Sequence, residues 1–215
     1  MSTLSEPSYR KRVAYQAGLL GGFSMMAATL LIIGNQATFE TIAERQAEDL
    51  QATLAQVVPP SLHDNNLPDD VLILQDADGA EKPVYQALRQ YRPQAFAFAA
   101  RGYGYAGAID LMMGVDAQGR ILGVRVLKHA ETPGLGDKIE IARDDWITAF
   151  NGRSLQNTGE AGWQVKKDGG DFDQFSGATI TPRAVVRAVH QGLLFFETHQ
   201  QALSTATAKE TPHEQ

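Results

Sequence analysis

The apolar run from Val13 to Gly34 constrains this chain most, because it contains no Asp, Glu, Lys, Arg or His. As a helix it would be about 33 Å long at a rise of 1.5 Å per residue, enough to cross the hydrocarbon core of a bilayer. A helix that is apolar on every side needs lipid or a large protein around it, and the rest of this chain is too short to bury it. The sequence therefore predicts a transmembrane helix at 13–34.

Charges on either side of this run predict its orientation. Residues 10–12 are all basic, whereas acidic residues dominate after the run, at Glu40, Glu44, Glu48 and Asp49. Since basic flanks stay on the cytoplasmic side, residues 1–12 are expected to form a cytoplasmic tail, with the main domain on the outer side of the membrane. A cleaved signal peptide is the alternative, but its apolar part usually spans only about 7–15 residues.

The remainder predicts an α+β protein with one domain outside the membrane. Apolar residues at helical spacing continue until Pro59-Pro60, which indicates a helical stalk at 35–60. The folded domain is expected at 61–200, followed by a mobile polar tail at 201–215.

Within this domain, alternating patterns predict an antiparallel sheet with flanking helices. Strands are expected at 71–74 and 95–99, and a hairpin at 108–115 and 121–127 around the turn Asp116–Gly119. The second hairpin strand should place Leu122, Val124 and Val126 on one face. Helices are expected at 144–150 and 182–199.

Composition restricts the function. The formal net charge is -6 and the sequence pI is about 5.3, which argues against a nucleic-acid partner because such binding depends on clustered basic residues. The chain has no cysteine, so it can supply neither disulfides nor thiolate ligands for an iron–sulfur cluster. If it transfers electrons, an organic cofactor has to carry them.

The segment 176–182, Ser-Gly-Ala-Thr-Ile-Thr-Pro, predicts the start of a helix. Thr181 suits the N-cap and Pro182 the first helical position. Free N–H groups and the helix dipole at such a terminus favour a phosphate group. With Thr181 occupied as a cap, Thr179 would be the hydroxyl available to carry one.

The run Asp173-Gln174-Phe175-Ser176-Gly177-Ala178-Thr179 resembles the flavin-attachment motif of the FMN-binding domain family. In that family the last Thr receives FMN through a phosphoester bond, made by a dedicated flavin transferase. Segments 129–138 and 163–175 are further similar to the G subunits of Rnf (Rsx) electron-transport complexes.

This resemblance implies a membrane-anchored electron carrier of an ion-translocating ferredoxin:NAD oxidoreductase. It would lie in the inner membrane with its main domain in the periplasm. Its partners would be the other membrane and iron–sulfur subunits of the complex and the flavin transferase. Covalent FMN would be attached to Thr179, and Asp173 would be recognised by the transferase. The further residues expected at the cofactor are Ser176, Gly177, Ala178, Thr181, Thr132, Gly134, Leu135 and Lys166.

Other candidate residues have simpler interpretations. Tyr103 and Tyr105 could stack on the flavin ring or edge the aromatic core, and Trp146 and Trp163 are assigned to packing. His129 is expected to be structural or interfacial, because the histidines show no metal-ligand spacing. Gly134-Leu135-Gly136 is not a dinucleotide fingerprint, since the third glycine position holds Ile139.

Two alternatives stay open from sequence. The corresponding C-type component of the sodium-pumping NADH:quinone oxidoreductase shares the anchor and the attachment motif. A single-span periplasmic sensor or scaffold without redox chemistry would show the same anchor and stalk.

Overall fold

The computed structural model describes residues 13–205 except Ala77. The predicted cytoplasmic tail at 1–12 and residues 206–215 of the predicted polar tail lie outside the described residues. Within the described range the chain forms two compact units that divide after Asp49.

Helix α1 spans Val13–Val57 and contains the whole apolar run. Its segment Val13–Gln36 has a mean hydropathy of 1.8 and is not buried by the protein, so it is long and apolar enough to cross a membrane. This agrees with the predicted transmembrane helix. The helix continues without interruption through most of the predicted stalk.

The second unit contains a sheet of five antiparallel strands in sequence order. The strands are β1 (Val71–Gln75), β2 (Glu81–Arg89), β3 (Arg92–Tyr103), β4 (Ala108–Asp116) and β5 (Ile121–Lys128). Because each strand pairs with the next, tight turns suffice as connections. The Asp116 carboxylate closes the β4–β5 turn by accepting from the N–H groups of Gln118 and Arg120. The predicted antiparallel α+β architecture is thus confirmed.

The prediction that Leu122 shares a face with Val124 and Val126 is wrong. Val124 pairs with Met113, but the register shifts between Gly114 and Val115, so that Ile121 instead of Leu122 faces Val115. Leu122 therefore packs on the opposite side of the sheet from Val124. A β-bulge adds one residue to a strand and so reverses the alternation beyond it.

One face of the sheet is covered by helix α3 (Ile180–Thr205), which contributes Val185, Val189 and Phe196 to the main core. α3 starts two residues before the predicted helix and extends beyond residue 200, where the domain was expected to end. The short helix α2 (Leu155–Gly162) and 3-10 turns at Asp137–Ile139, Asp145–Phe150 and Lys166–Asp168 complete this layer. Trp146 and Trp163 are buried in it, as predicted.

The other face is covered by the end of α1. Leu54, Val57 and Val58 are almost completely buried there. Gly114 on β4 allows this approach, because a Cβ at that position would lie 2.7 Å from the carbonyl carbon of Val57. The compact unit therefore begins at Leu50, earlier than the boundary at 61 expected from sequence.

Candidate functional site

The attachment motif forms a turn that leads directly into α3. Ala178 donates its N–H to the Phe175 carbonyl, and Gly177 adopts a φ of +83°, which favours glycine. Trp146 anchors the turn from outside: its Nε1–H donates to the Asp173 carbonyl at 2.8 Å, and its ring packs on Phe175 at 5.1 Å. The motif is therefore held on the aromatic core.

Thr179 is the residue immediately before the first helical residue, Ile180, and it is half-buried. The first N–H groups of a helix have no partner within the helix, so they and the positive end of the helix dipole lie beside Thr179. This is the environment that the sequence predicted for an attached phosphate.

The prediction that Thr181 caps this helix is wrong. Thr181 lies within the first turn of α3, is fully buried, and donates its hydroxyl proton to Glu131 Oε2. The partner lies 50 residues earlier in the sequence, so the local pattern that suggests a cap gave no sign of it. Pro182 is tolerated as the third helical residue because no N–H in the first turn bonds within the helix.

Glu131 joins three segments of the chain at this point. Its side chain is 5% exposed, and its other oxygen accepts from the Ala106 N–H at 3.0 Å. Ala106 belongs to the tip between β3 and β4, which is closed by a hydrogen bond from Gly104 to Gly107. The β3–β4 tip, the loop that follows β5 and the first turn of α3 are thus bound to one carboxylate.

The loop that follows β5 also contacts the motif through Leu135. Thr132 accepts at its carbonyl from the N–H groups of Leu135 and Gly136, and Gly134 has a φ of +78°. A Cβ built at Gly177 would lie 3.4 Å from Leu135 Cδ2. The structure therefore brings this predicted loop and the motif together, whereas their contact with a cofactor stays a prediction.

Each of the three segments that Glu131 joins also contains an exposed apolar side chain. Tyr105 is 74% exposed, Leu135 43% and Ile180 48%. Tyr103, at the end of β3, is 73% exposed, so neither tyrosine edges the core. Exposed apolar side chains that gather in one patch mark a binding surface, so these residues are the candidates for a ligand contact here.

Two ion pairs lie beside the motif. Lys166 Nζ is 2.7 Å from Asp173 Oδ1, and Arg183 makes a two-point contact with Asp168, with Nη2 2.9 Å from Oδ1. The hydrogen bond from Arg183 lowers the pKa of Asp168, so this carboxyl is ionised at neutral pH. Arg183 Nη1 also lies 3.5 Å from the Thr179 carbonyl oxygen. Lys167 lies in the same short turn as Lys166, and its backbone N–H donates to Gln174 Oε1 of the motif.

His129 has the structural role that was expected. The Glu131 N–H donates to Nδ1, which fixes the proton on Nε2, and Nε2–H in turn donates to Glu140. Within residues 13–205, no group of three or more His, Asp or Glu residues is arranged to hold a metal ion.

Sequence reasoning missed two residues of this site, Glu131 and Arg183. Arg183 follows Thr179 by four positions, which on a helix is the same face, and this spacing could have identified it. Glu131 carried no comparable signal, because its partners are Thr181 and Ala106, both distant in sequence.

Comparison with known proteins defines the class of this domain. The sequence profile of the FMN-binding domain matches residues 104–194, which include both the Glu131 junction and the motif. In structure, the chain is similar to NqrC of Shewanella oneidensis, with a TM-score of 0.57 and 21% identity, covering 76% of this chain and all of that one. The C subunit of a Na⁺-translocating NADH-quinone reductase from Parabacteroides distasonis gives a TM-score of 0.51 and 21% identity, covering 76% of this chain and 94% of that one. At this identity the likeness establishes the fold.

Sequence relatives are more specific. The G subunit of the ion-translocating oxidoreductase complex of Cereibacter sphaeroides is 56% identical over 185 residues, covering 86% of this chain and 84% of the relative. The protein of the same name from Stutzerimonas stutzeri is 48% identical, covering 87% and 82%, and that from Pseudomonas aeruginosa is 45% identical, covering 90% and 93%. The chain belongs to the family of G subunits of ion-translocating oxidoreductase complexes.

Proposed function

We propose that this protein is the membrane-anchored electron-carrier subunit of an Rnf-type complex and carries FMN covalently on Thr179. The observation that carries the attachment site is the position of Thr179: a half-buried threonine immediately before α3, at the helix start that Glu131 ties to the β3–β4 tip. Family membership supports FMN as the cofactor, and the position of Thr179 supports this residue as the attachment point.

The residues present fit both ends of FMN. The phosphate would be held by free N–H groups of the first turn of α3, with the basic side chains of Lys166 and Arg183 beside the motif. Gly177 leaves the approach to Thr179 open because it has no side chain. The flavin ring would be held by Tyr105, Leu135 and Ile180, whose exposed apolar surface it would cover.

Attachment is a phosphoryl transfer in which Thr179 is the acceptor. The Thr179 oxygen forms a bond to the FMN phosphorus of a flavin adenine dinucleotide, the phosphoanhydride bond breaks, and AMP leaves. The hydroxyl proton passes to a base of the transferase. Nothing is oxidised or reduced, so this step requires no further reactant.

In the assembled complex, FMN supplies the electron-accepting and electron-donating chemistry, and this chain supplies attachment, charge and exposure. The basic residues before α1 support an orientation with the N-terminus in the cytoplasm and the FMN domain in the periplasm of a bacterial cell. The proposed partners are the membrane and iron–sulfur subunits of the same complex and the flavin transferase that loads this one.

Flavin fluorescence of the denatured protein in a gel tests the attachment. The full-length wild-type protein, produced together with the transferase, is expected to fluoresce and to gain the mass of one FMN less one water. Thr179→Ala should lose both signals, whereas Thr198→Ala, which removes an exposed hydroxyl from the same helix, should keep them. A fluorescent Thr179→Ala protein would refute the assignment of Thr179.

The second candidate, a C-type component of a sodium-pumping NADH:quinone oxidoreductase, is supported by the shared fold. The 21% identity to those structures is far below the 56% identity to the G subunit of Cereibacter sphaeroides, and this difference favours the Rnf-type assignment. Purification of the native complex separates the two. Electron exchange between ferredoxin and NAD supports the first candidate, and NADH oxidation with quinone supports the second.

A further inference from the structure

The Glu131 carboxylate is buried close to the proposed attachment site. Its hydrogen bonds come from two uncharged groups, the Thr181 hydroxyl and the Ala106 N–H. A carboxylate removed from water costs free energy that neutral donors offset only in part, although the positive end of α3 helps. An apolar residue here would leave the Thr181 hydroxyl and the Ala106 N–H without this acceptor, so the carboxylate holds both groups in place.

The surroundings are built to accept this carboxylate. A Cβ at Gly136 would lie 2.8 Å from Glu131 Oε2 and 3.0 Å from Thr181 Oγ1. A Cβ at Gly104 would lie 3.0 Å from Glu131 Cδ and closer still to Oε1. Two glycines therefore leave the space that the carboxylate occupies, and any side chain at either position would push it from Thr181.

The Thr181 contact determines which way the start of α3 faces. Thr179 lies two positions before Thr181, immediately before the first helical residue, so the orientation of the first turn also sets the path of the chain at Thr179. Thr181 is fully buried and directed at Glu131, whereas Thr179 is half-exposed. Thr179 and Thr181 have the same side chain, but only the Thr181 hydroxyl is hydrogen-bonded to Glu131, whereas Thr179 is partly exposed.

We propose that Glu131 is a positioning residue for flavin attachment: by binding the Thr181 hydroxyl it fixes the rotation of the first turn of α3 and presents Thr179 to the flavin transferase. This inference rests on the proposed attachment at Thr179. It assigns to Glu131 and Thr181 no contact with the flavin and no part in electron transfer.

The test measures how fast the apo-protein accepts flavin. Full-length protein from cells that lack the transferase is purified in detergent and incubated with purified transferase and flavin adenine dinucleotide. Initial rates come from in-gel flavin fluorescence. Thr181→Val, which keeps the shape and removes the hydroxyl, is expected to slow attachment about tenfold, as loss of a hydrogen bond to a charged group predicts. Thr181→Ser, which restores the hydroxyl, should stay within about twofold of wild type.

Glu131→Gln tests the carboxylate itself and, combined with Thr181→Val, tests whether the two residues act through one contact. Glu131→Gln should slow attachment, and the double variant should be no slower than Thr181→Val alone, because a contact can be lost only once. Additive losses would contradict a shared mechanism and overturn the proposal.

Thermal unfolding of each apo-protein under the assay conditions gives its folded fraction, which separates partial unfolding from a misoriented Thr179. The rate for each variant is divided by its folded fraction. A Thr181→Val protein that attaches flavin at the wild-type rate after this correction overturns the inference, and so does a Thr181→Ser protein as slow as Thr181→Val. A wild-type protein that accepts no flavin, or accepts it equally without Thr179, refutes the proposed function instead.

Discussion

Substitution of Gly104 by alanine tests the packing around Glu131 independently of any cofactor. Gly104 has no left-handed φ, so alanine introduces no backbone strain. The added methyl group would overlap the Glu131 carboxylate and force it from the Ala106 N–H and the Thr181 hydroxyl. Each hydrogen bond to a charged group contributes about 1.5–3 kcal/mol, so loss of both bounds the cost at about 3–6 kcal/mol.

We expect the lower end, about 3 kcal/mol, because the carboxylate can shift part of the way and keep a weakened contact. For a domain of this size the melting temperature should then fall by about 6–12 °C. Both tryptophans, Trp146 and Trp163, are buried in this domain, so intrinsic fluorescence of the full-length protein in detergent reports its unfolding.

Glu131→Ala supplies the matched background for this experiment. Without the carboxylate, the closest atom left to the new methyl group is Ile109 Cδ1 at 2.8 Å, the far end of a flexible side chain. Gly104→Ala should therefore cost less than about 1 kcal/mol in this background. An equal loss of stability in both backgrounds, or no loss in the wild-type protein, would show that the methyl group does not displace the Glu131 carboxylate.

Three further predictions concern other parts of the domain. Burial against Trp163 lowers the pKa of His190, and the nearby Glu160 carboxylate opposes this shift only in part. The neutral imidazole therefore contributes to stability above the unfolded pKa of about 6.5, and this contribution is lost on acidification. The melting temperature should fall between about pH 7.5 and pH 5, and less steeply in His190→Phe; parallel profiles would contradict this. Tyr91 is exposed with a φ of +61°, so Tyr91→Gly should stabilise the protein by about 1 kcal/mol in urea titrations, and Tyr91→Ala should not. A soluble protein starting at residue 50 should show a cooperative melt by circular dichroism. A protein starting at residue 61 lacks the buried side chains of Leu54, Val57 and Val58, each worth about 1.5–3 kcal/mol. It should therefore show no cooperative melt.

Features determined by neighbouring residues could be predicted from the sequence. The hairpin around Asp116 follows from alternating apolar residues on either side of a turn, and the membrane helix follows from an apolar run. The motif at Thr179 was recognisable because its residues are contiguous. Its location next to a helix start also depends only on local sequence.

Features determined by distant partners could not be predicted. Leu122 is on the unexpected face because a bulge depends on how β5 pairs with β4. Thr directly before Pro usually caps a helix, but the Thr181 hydroxyl instead donates to the buried carboxylate of Glu131, which is distant in sequence. The compact unit begins before the predicted boundary at 61 because Gly114 and Gly123, on strands far along the chain, leave room for the end of α1 on the sheet.

The junction at Glu131 has a consequence for biosynthesis. Its three segments are separated by long stretches of sequence, and α3, which carries the proposed acceptor, is the last of them to leave the ribosome. If Glu131 fixes the start of α3 as proposed, Thr179 takes its final direction only after the strands and loops before it have folded. A transferase that requires this arrangement would attach flavin only to folded protein. The ratio of flavin to protein in a preparation would then measure the fraction that is correctly folded.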